Sequence, residues 1–241
     1  MSVGTGSVAV VTGAGRGIGA AIAATLRAAG WSVVGVDHDP EGAPVDVVGD
    51  VADPATHDAA VSAARDAGVL RGWVSNAAVV QLRPFGQLDE PHVDTMLDVD
   101  LRAYVLGAQA AVREFRRHGD GGAIVNVGSV HGRLGFAQHA LYAACKAGVE
   151  GFTRSVVAEL LGEPIRVNTV APGAVMTERE VAARAVNPPL HEPIPLALFS
   201  SPAEIAAVVA FLLDPASAAI NGATVAADRG LSSTFVGAPA G

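Results

Sequence analysis

Short runs of β-branched and other apolar residues alternate with longer, Ala-rich amphipathic segments from one end of the chain to the other. The runs at 8–12, 32–37, 45–48, 72–75, 123–127, 166–170 and 224–226 predict strands. They are apolar without a polar alternate, which is the pattern of strands covered on both faces. Between them the spacing predicts helices near 17–29, 54–67, 91–118, 141–161 and 202–213. Strands that alternate with helices in this way build an α/β fold around a parallel, doubly wound sheet, here of seven strands. Two helix starts are marked in advance. Asp53-Pro54 and Ser201-Pro202 each place a capping side chain before a proline at the first turn. No repeat or linker divides the chain, so residues 1–241 are expected to form a single domain.

One connection breaks the rhythm. Residues 38–44 are all that separate the second and third strands. A helical crossover between parallel strands needs roughly a dozen residues or more. A short loop is therefore expected in place of a helix.

The first strand runs into Thr12-Gly13-Ala14-Gly15-Arg16-Gly17-Ile18-Gly19, and a helix follows. Glycines there allow a tight turn and close approach to a pyrophosphate, with the helix N-terminus facing the anion. The second strand ends at Asp37, about twenty residues beyond the glycines, where a carboxylate can accept from the adenosine ribose hydroxyls. A 2′-phosphate would meet that carboxylate unfavourably, so Asp37 predicts NAD over NADP; a turn or cap aspartate is the plain alternative. Asp50 and Val51 follow the third strand. Asp50 is a candidate for the adenine amino group and Val51 for the ring, although Asp50 also reads as a turn residue.

Composition narrows the partners. The net charge is −8 with a pI near 5.3, and the cations are scattered. That argues against a nucleic-acid backbone or an anionic membrane surface. The densest basic group, Arg113, Arg116 and Arg117, reads as a solvated helix face. The single cysteine, Cys145, excludes an internal disulfide framework and a cysteine-based zinc site. The histidines lack metal-ligand spacing, so no metal is expected. No uncharged run reaches the ~18–20 residues of a membrane span, and residues 1–7 carry no basic leader. A cytoplasmic location is the expectation.

Tyr142 and Lys146 stand four positions apart in a predicted helix and so share a face. A free phenol titrates near ~10; a cation beside it favours the phenolate and brings proton transfer within reach. Ser129 follows the 123–127 strand at its carboxyl end, where open α/β sheets bind ligands. Its hydroxyl can polarise a substrate oxygen.

Taken together, these motifs resemble the short-chain dehydrogenase/reductase family, of about 250 residues and Rossmann-like fold, over nearly the whole chain. The Thr-Gly and Gly-Ile-Gly elements fall in Thr12–Gly19. The family's Asn-Asn-Ala-Gly stretch is altered to Ser75-Asn76-Ala77-Ala78. Pro172-Gly173-Ala174-Val175-Met176-Thr177 matches the Pro-Gly motif, and Asp228-Arg229-Gly230 approximates a terminal Asp-Gly-Gly. The resemblance implies an NAD-dependent oxidoreductase moving hydride between the nicotinamide and a secondary alcohol or ketone. Tyr142 would be acid in reduction and base in oxidation, Ser129 would orient the substrate oxygen, and Lys146 would bond the nicotinamide ribose. Gly13, Arg16, Gly17, Ile18 and Gly19 would hold the pyrophosphate side. Asn76 and Ala77 would line the cofactor path, while Pro172, Gly173, Val175 and Thr177 would meet the nicotinamide end. The family commonly carries Asn where this chain has Asp100; that Asn helps hold a water leading from the lysine to solvent. Asp100 is expected to keep such a relay with an altered pH dependence.

His131, Phe136 and His139 lie between Ser129 and Tyr142 and are expected to border the substrate, although loop histidines are more often solvated or bonded to backbone. Residues 178–201, with four prolines within 188–195, read as a substrate lid. The helix from Tyr142 is apolar around more than one face, and the resemblance implies a homotetramer in which it and the 91–118 helix pack against symmetry mates. Two other readings stay open. One is an NADP-linked 3-oxoacyl-thioester reductase; the other is a dinucleotide-sensing protein that kept the fold without the chemistry.

Overall fold

The computed structural model describes residues 6–39, 41–186 and 194–233. Seven strands form one parallel sheet: β1 (Ser7–Thr12), β2 (Ser32–Asp37), β3 (Val47–Val48), β4 (Val69–Ser75), β5 (Gly122–Val127), β6 (Ile165–Pro172) and β7 (Thr224–Ala227). Their order across the sheet is β3-β2-β1-β4-β5-β6-β7. The chain leaves β1 toward one edge and, from β4 on, builds toward the other. The crevice outside the carboxyl ends of β1 and β4 is therefore the topological switch point, where such sheets bind ligands.

Successive strand residues divide between two apolar layers. Val8 and Val10 join Trp73, Ile124 and Val167 under α2 (Pro54–Ala67), α4 (Ala103–His118) and α5 (Ala140–Glu159). Ala9 and Val11 join Val74, Val125 and Val170 under α1 (Gly17–Ala28) and α7 (Pro202–Leu213). Both faces are covered, and this is why the strands read as unbroken apolar runs.

The two anticipated caps form. Asp53 Oδ1 accepts from the Ala55 N–H at 2.9 Å, and Ser201 and Glu204 bond each other's backbone reciprocally. Such caps contribute about 1 kcal/mol each. No helix is found among the described residues between β2 and β3. The loop docks on the glycine turn, where the Ala43 N–H donates to the Gly15 carbonyl at 2.7 Å.

Several boundaries differ from the sequence reading by a residue or two, and three differences bear on the architecture. β3 has two residues instead of four, because the edge strand pairs with β2 only at Val47 and Val48. β4 begins at Val69, since its first residues pair with Ser7 and Val8. The helix expected over 91–118 is α3 (Glu90–Leu97), a π-helical turn at Asp98–Arg102, and α4, in direct succession. In that turn the Ala103 N–H reaches the carbonyl of Asp98, five residues back. The basic side chains of α4 are about half exposed but paired: Arg113 with Asp58, Arg116 with Glu163, and Arg117 with Glu114. Glu114 is itself buried between Arg117 and Arg65, and these guanidinium hydrogen bonds hold its carboxyl down at about 2.

The segment expected to be a lid begins with α6 (Glu178–Val186). Most of the proline-rich stretch lies outside the described residues. The segment returns at Ser200, which donates to the Ala174 carbonyl and accepts from Met176. No helix among the described residues is long and apolar enough to cross a membrane.

Candidate active site

The glycine turn is built on backbone approach. Gly13 has φ +66°, and a Cβ on Gly19 would lie 1.9 Å from the Gly13 carbonyl oxygen. Asn76 braces the same turn from just past the end of β4: its side-chain amide donates to the Thr12 and Gly13 carbonyls at 3.0 and 3.2 Å. The Asn76 and Ala77 N–H groups both donate to Thr12 Oγ1. Arg16 occupies the N-cap of α1 but makes no side-chain cap bond, and the first turn carries no acidic residue. The N–H groups of Gly17, Ile18 and Gly19 thus open the helix with nothing anionic of their own to meet, as a pyrophosphate requires.

Asp37 is buried, and three groups hold it. Its Oδ2 accepts from the Gly15 N–H at 2.9 Å, its Oδ1 accepts from the Asp39 N–H at 3.2 Å, and His38 Nδ1 lies 3.1 Å away. Arg16 pairs with Asp39 at 3.3 Å and remains two-thirds exposed. A cleft of about 560 Å³ opens beside these groups. Gly13, Arg16, Gly17, Ile18, Asp37, Asp50, Val51, Asn76, Ala77 and Thr177, all expected from the sequence, line it. The Asp50 carboxylate also accepts from the Ala52 N–H at 2.9 Å, so its turn role is present as well. Sequence reasoning missed His38, Gly49, Val79, Thr95, Val99 and Arg179 on the same walls. Arg179 donates to the Val80 carbonyl at 3.0 Å and so ties the start of α6 to the loop after β4.

Ser129, Tyr142, Lys146, Pro172, Gly173 and Val175 are not among the residues lining this cleft. Ser129, Tyr142 and Lys146 gather instead around the carboxyl end of β5. Ser129 Oγ accepts from the His131 N–H at 3.2 Å and lies 2.9 Å from His131 Nδ1. The His131 ring stacks on His139 at 4.5 Å and packs against Phe136 at 4.3 Å and the edge of Tyr142 at 5.5 Å. All the expected substrate-side residues are thus in one aromatic cluster. Burial, with His139 nearby, lowers the His131 pKa to about 4, so the ring is neutral at physiological pH. His139 Nδ1 donates to the Ala137 carbonyl at 2.7 Å, the backbone-bonded role its loop position allowed.

Beneath this cluster Lys146 is sealed. Its ammonium is 5.5 Å from the Tyr142 ring centre. It donates to the Tyr104 hydroxyl at 2.9 Å and to the Val127 carbonyl at 3.4 Å, and lies 3.2 Å from Asp100 Oδ1. The π turn directs Asp100 inward, and its Oδ2 accepts from the Val79 N–H at 3.2 Å. Because Val79 lines the cleft, this bond links the cleft wall to the buried ion pair. Burial opposes charge on Lys146, but Tyr104, Tyr142 and Asp100 outweigh it and raise its proton affinity. Burial pushes the Asp100 carboxyl up and the lysine pulls it back. Tyr104, fully buried, is pushed up to about 12 and stays a neutral phenol. Sequence reasoning missed Tyr104, although its position one helical turn past Asp100 was a signal in plain view. At the far strand ends, Gly173 lies so close to Asp228 that a Cβ would come within 2.8 Å of that side chain.

Comparison with known proteins agrees with this geometry. A family model described as enoyl-(acyl carrier protein) reductase matches residues 13–232. The chain is 37% identical to a D-threitol dehydrogenase of Mycolicibacterium smegmatis, covering 93% of this chain and 92% of that protein. It is 35% identical to the 3-oxoacyl-[acyl-carrier-protein] reductase FabG of Vibrio cholerae, over 94% and 97%. The solved structure of a levodione reductase superposes with a TM-score of 0.85 at 29% identity, covering 95% and 98%. The chain belongs to the short-chain dehydrogenase/reductase family of oxidoreductases, which use a nicotinamide dinucleotide.

Proposed function

We propose that the chain is an NAD(H)-dependent oxidoreductase interconverting a secondary alcohol and its ketone. One observation carries the choice of NAD: the Asp37 carboxylate is fixed at the end of β2, on the wall of the cleft beside the glycine turn. There it would accept from ribose hydroxyls and repel a 2′-phosphate. The glycine-turn amides would hold the pyrophosphate and Lys146 the nicotinamide ribose. When bound, the nicotinamide supplies or accepts the hydride.

The protein's own groups handle the proton. Tyr142 donates it to the carbonyl oxygen in reduction and removes it from the hydroxyl in oxidation. Lys146 sits beneath it as a permanent positive charge. Ser129 orients the substrate oxygen. A neutral His131 carrying its proton on Nδ1 gives the serine oxygen a second N–H bond, leaving the serine O–H free for the substrate. His131, Phe136 and His139 would border that substrate. The 37% identity to D-threitol dehydrogenase supports a small polyol or hydroxyketone. We also take the protein to be cytoplasmic and homotetrameric through α4 and α5, an assembly that sedimentation would test.

The direct experiment follows NADH absorbance while secondary alcohols and ketones, threitol included, are screened with NAD and NADP in parallel. Turnover preferring NAD is expected; a preference for NADP would overturn the role given to Asp37. The second reading, an NADP-linked 3-oxoacyl-thioester reductase, is favoured by Arg16, a cation on the same turn, and by the identity to FabG. Asp39 already engages that cation, which weighs against it.

A further inference from the structure

An ammonium has three N–H bonds, and three protein oxygens surround that of Lys146: Tyr104 Oη at 2.9 Å, Asp100 Oδ1 at 3.2 Å and the Val127 carbonyl at 3.4 Å. Asp100 Oδ1 engages the ammonium as an ion pair without hydrogen-bond geometry, so turning the ammonium toward a cofactor hydroxyl puts at stake its two hydrogen bonds, to Tyr104 and Val127. Each is buried, and a buried acceptor left without a donor costs free energy. The Val127 contact is the longest, and its oxygen has a second donor. The Tyr104 hydroxyl donates to it at 3.0 Å. Tyr104 has a single proton to give, and because its phenol stays neutral that proton remains on the Val127 bond while its lone pair receives the lysine.

We propose that Tyr104 is a positioning residue for Lys146. Its phenol satisfies the Val127 carbonyl independently, so the ammonium can release that carbonyl and present an N–H to a sugar hydroxyl of the bound cofactor. Without the hydroxyl, Val127 would depend on Lys146 alone and hold the ammonium back against β5. The inference rests on the reading above that Lys146 meets the nicotinamide ribose.

The chain offers a clean probe, because Tyr104 and Tyr142 are its only tyrosines. Protein labelled throughout with 3-fluorotyrosine gives two fluorine resonances, assigned with Tyr142→Phe. Titration with NAD, and with NADP in parallel, is expected to move both. The Tyr104 signal should respond although Tyr104 does not line the cleft, because the lysine bonded to it changes partners. Tyr104→Phe should weaken dinucleotide binding about fivefold by calorimetry, raising the KM for dinucleotide with kcat little changed. A Tyr104 resonance that stays fixed while that of Tyr142 moves overturns the proposal and leaves the cofactor reading standing. A Tyr104→Phe protein that melts lower but binds with wild-type affinity overturns it too, showing the hydroxyl to be structural only. If neither dinucleotide binds the wild-type protein, the proposal and the cofactor reading fall together. The fluorine experiment needs only the folded wild-type sequence, so it decides the matter even if Tyr104→Phe fails to fold.

Discussion

The Lys146 ammonium stands 3.2 Å from the Asp100 carboxylate, with 1% and 0% of the two side chains exposed. Asp100 occupies the place where, by the family resemblance, an Asn that helps hold a water is common. A carboxylate there changes the electrostatics, because the charge that should serve Tyr142 is partly answered from behind. Removing one member of a buried ion pair costs about 3–5 kcal/mol, since the other charge is stranded.

Asp100→Asn should therefore lower the melting temperature, and it should also move the pH–rate profile. With the negative charge gone and the ammonium still protonated, anionic oxygens at the site are favoured. The oxidation rate is then expected to reach its plateau at lower pH. Initial rates of alcohol oxidation from pH 6 to 10 check this. A variant with the wild-type profile would remove Asp100 from the electrostatics of proton transfer.

His131 makes the fold sensitive to mild acid. Its folded pKa of about 4 lies below the ordinary imidazole value of about 6.5, so protons bind the unfolded chain first as pH falls. The stabilising contribution of the neutral ring is complete above about 6.5 and is lost progressively toward 4. His57, whose pKa burial also lowers, adds a slope of the same sign. His131→Gln should keep the His57 slope and lose that of His131. Melting temperatures of the two proteins should therefore converge as pH falls from 7 to 4. Parallel curves would show that the ring does not titrate as its surroundings dictate.

Gly19→Ala tests the turn. The added methyl would meet the Gly13 carbonyl at 1.9 Å and the Asn76 amide at 2.6 Å, backbone and braced side chain with little room to yield. A loss of about 2 kcal/mol is expected from overpacking, together with at least tenfold weaker dinucleotide binding. Gly86→Ala, where nothing lies within 4 Å of the new methyl, is the control. Chemical denaturation and calorimetry on both variants give the comparison, and equal behaviour would refute a tight turn.

The chain's own periodicity determined a good deal. Unalternated apolar runs set between amphipathic segments encode strands buried on both faces, and short-range turn chemistry marks where helices begin. Seven strands, the missing crossover helix and the glycine turn were legible for that reason, and the spacing of Ser129, Tyr142 and Lys146 placed them near one strand end. Tertiary structure alone decided which buried polar groups answer one another. Asp100 faces Lys146 from within a π turn, and Tyr104 reaches the same ammonium across 42 positions of sequence. Likewise the two-residue length of β3 was set by its partner strand, and the bond from Ser129 to His131 by how the loop folds back. Local pattern fixes which face turns inward; the partner found there depends on the docking of elements distant in the chain, to which no periodicity responds.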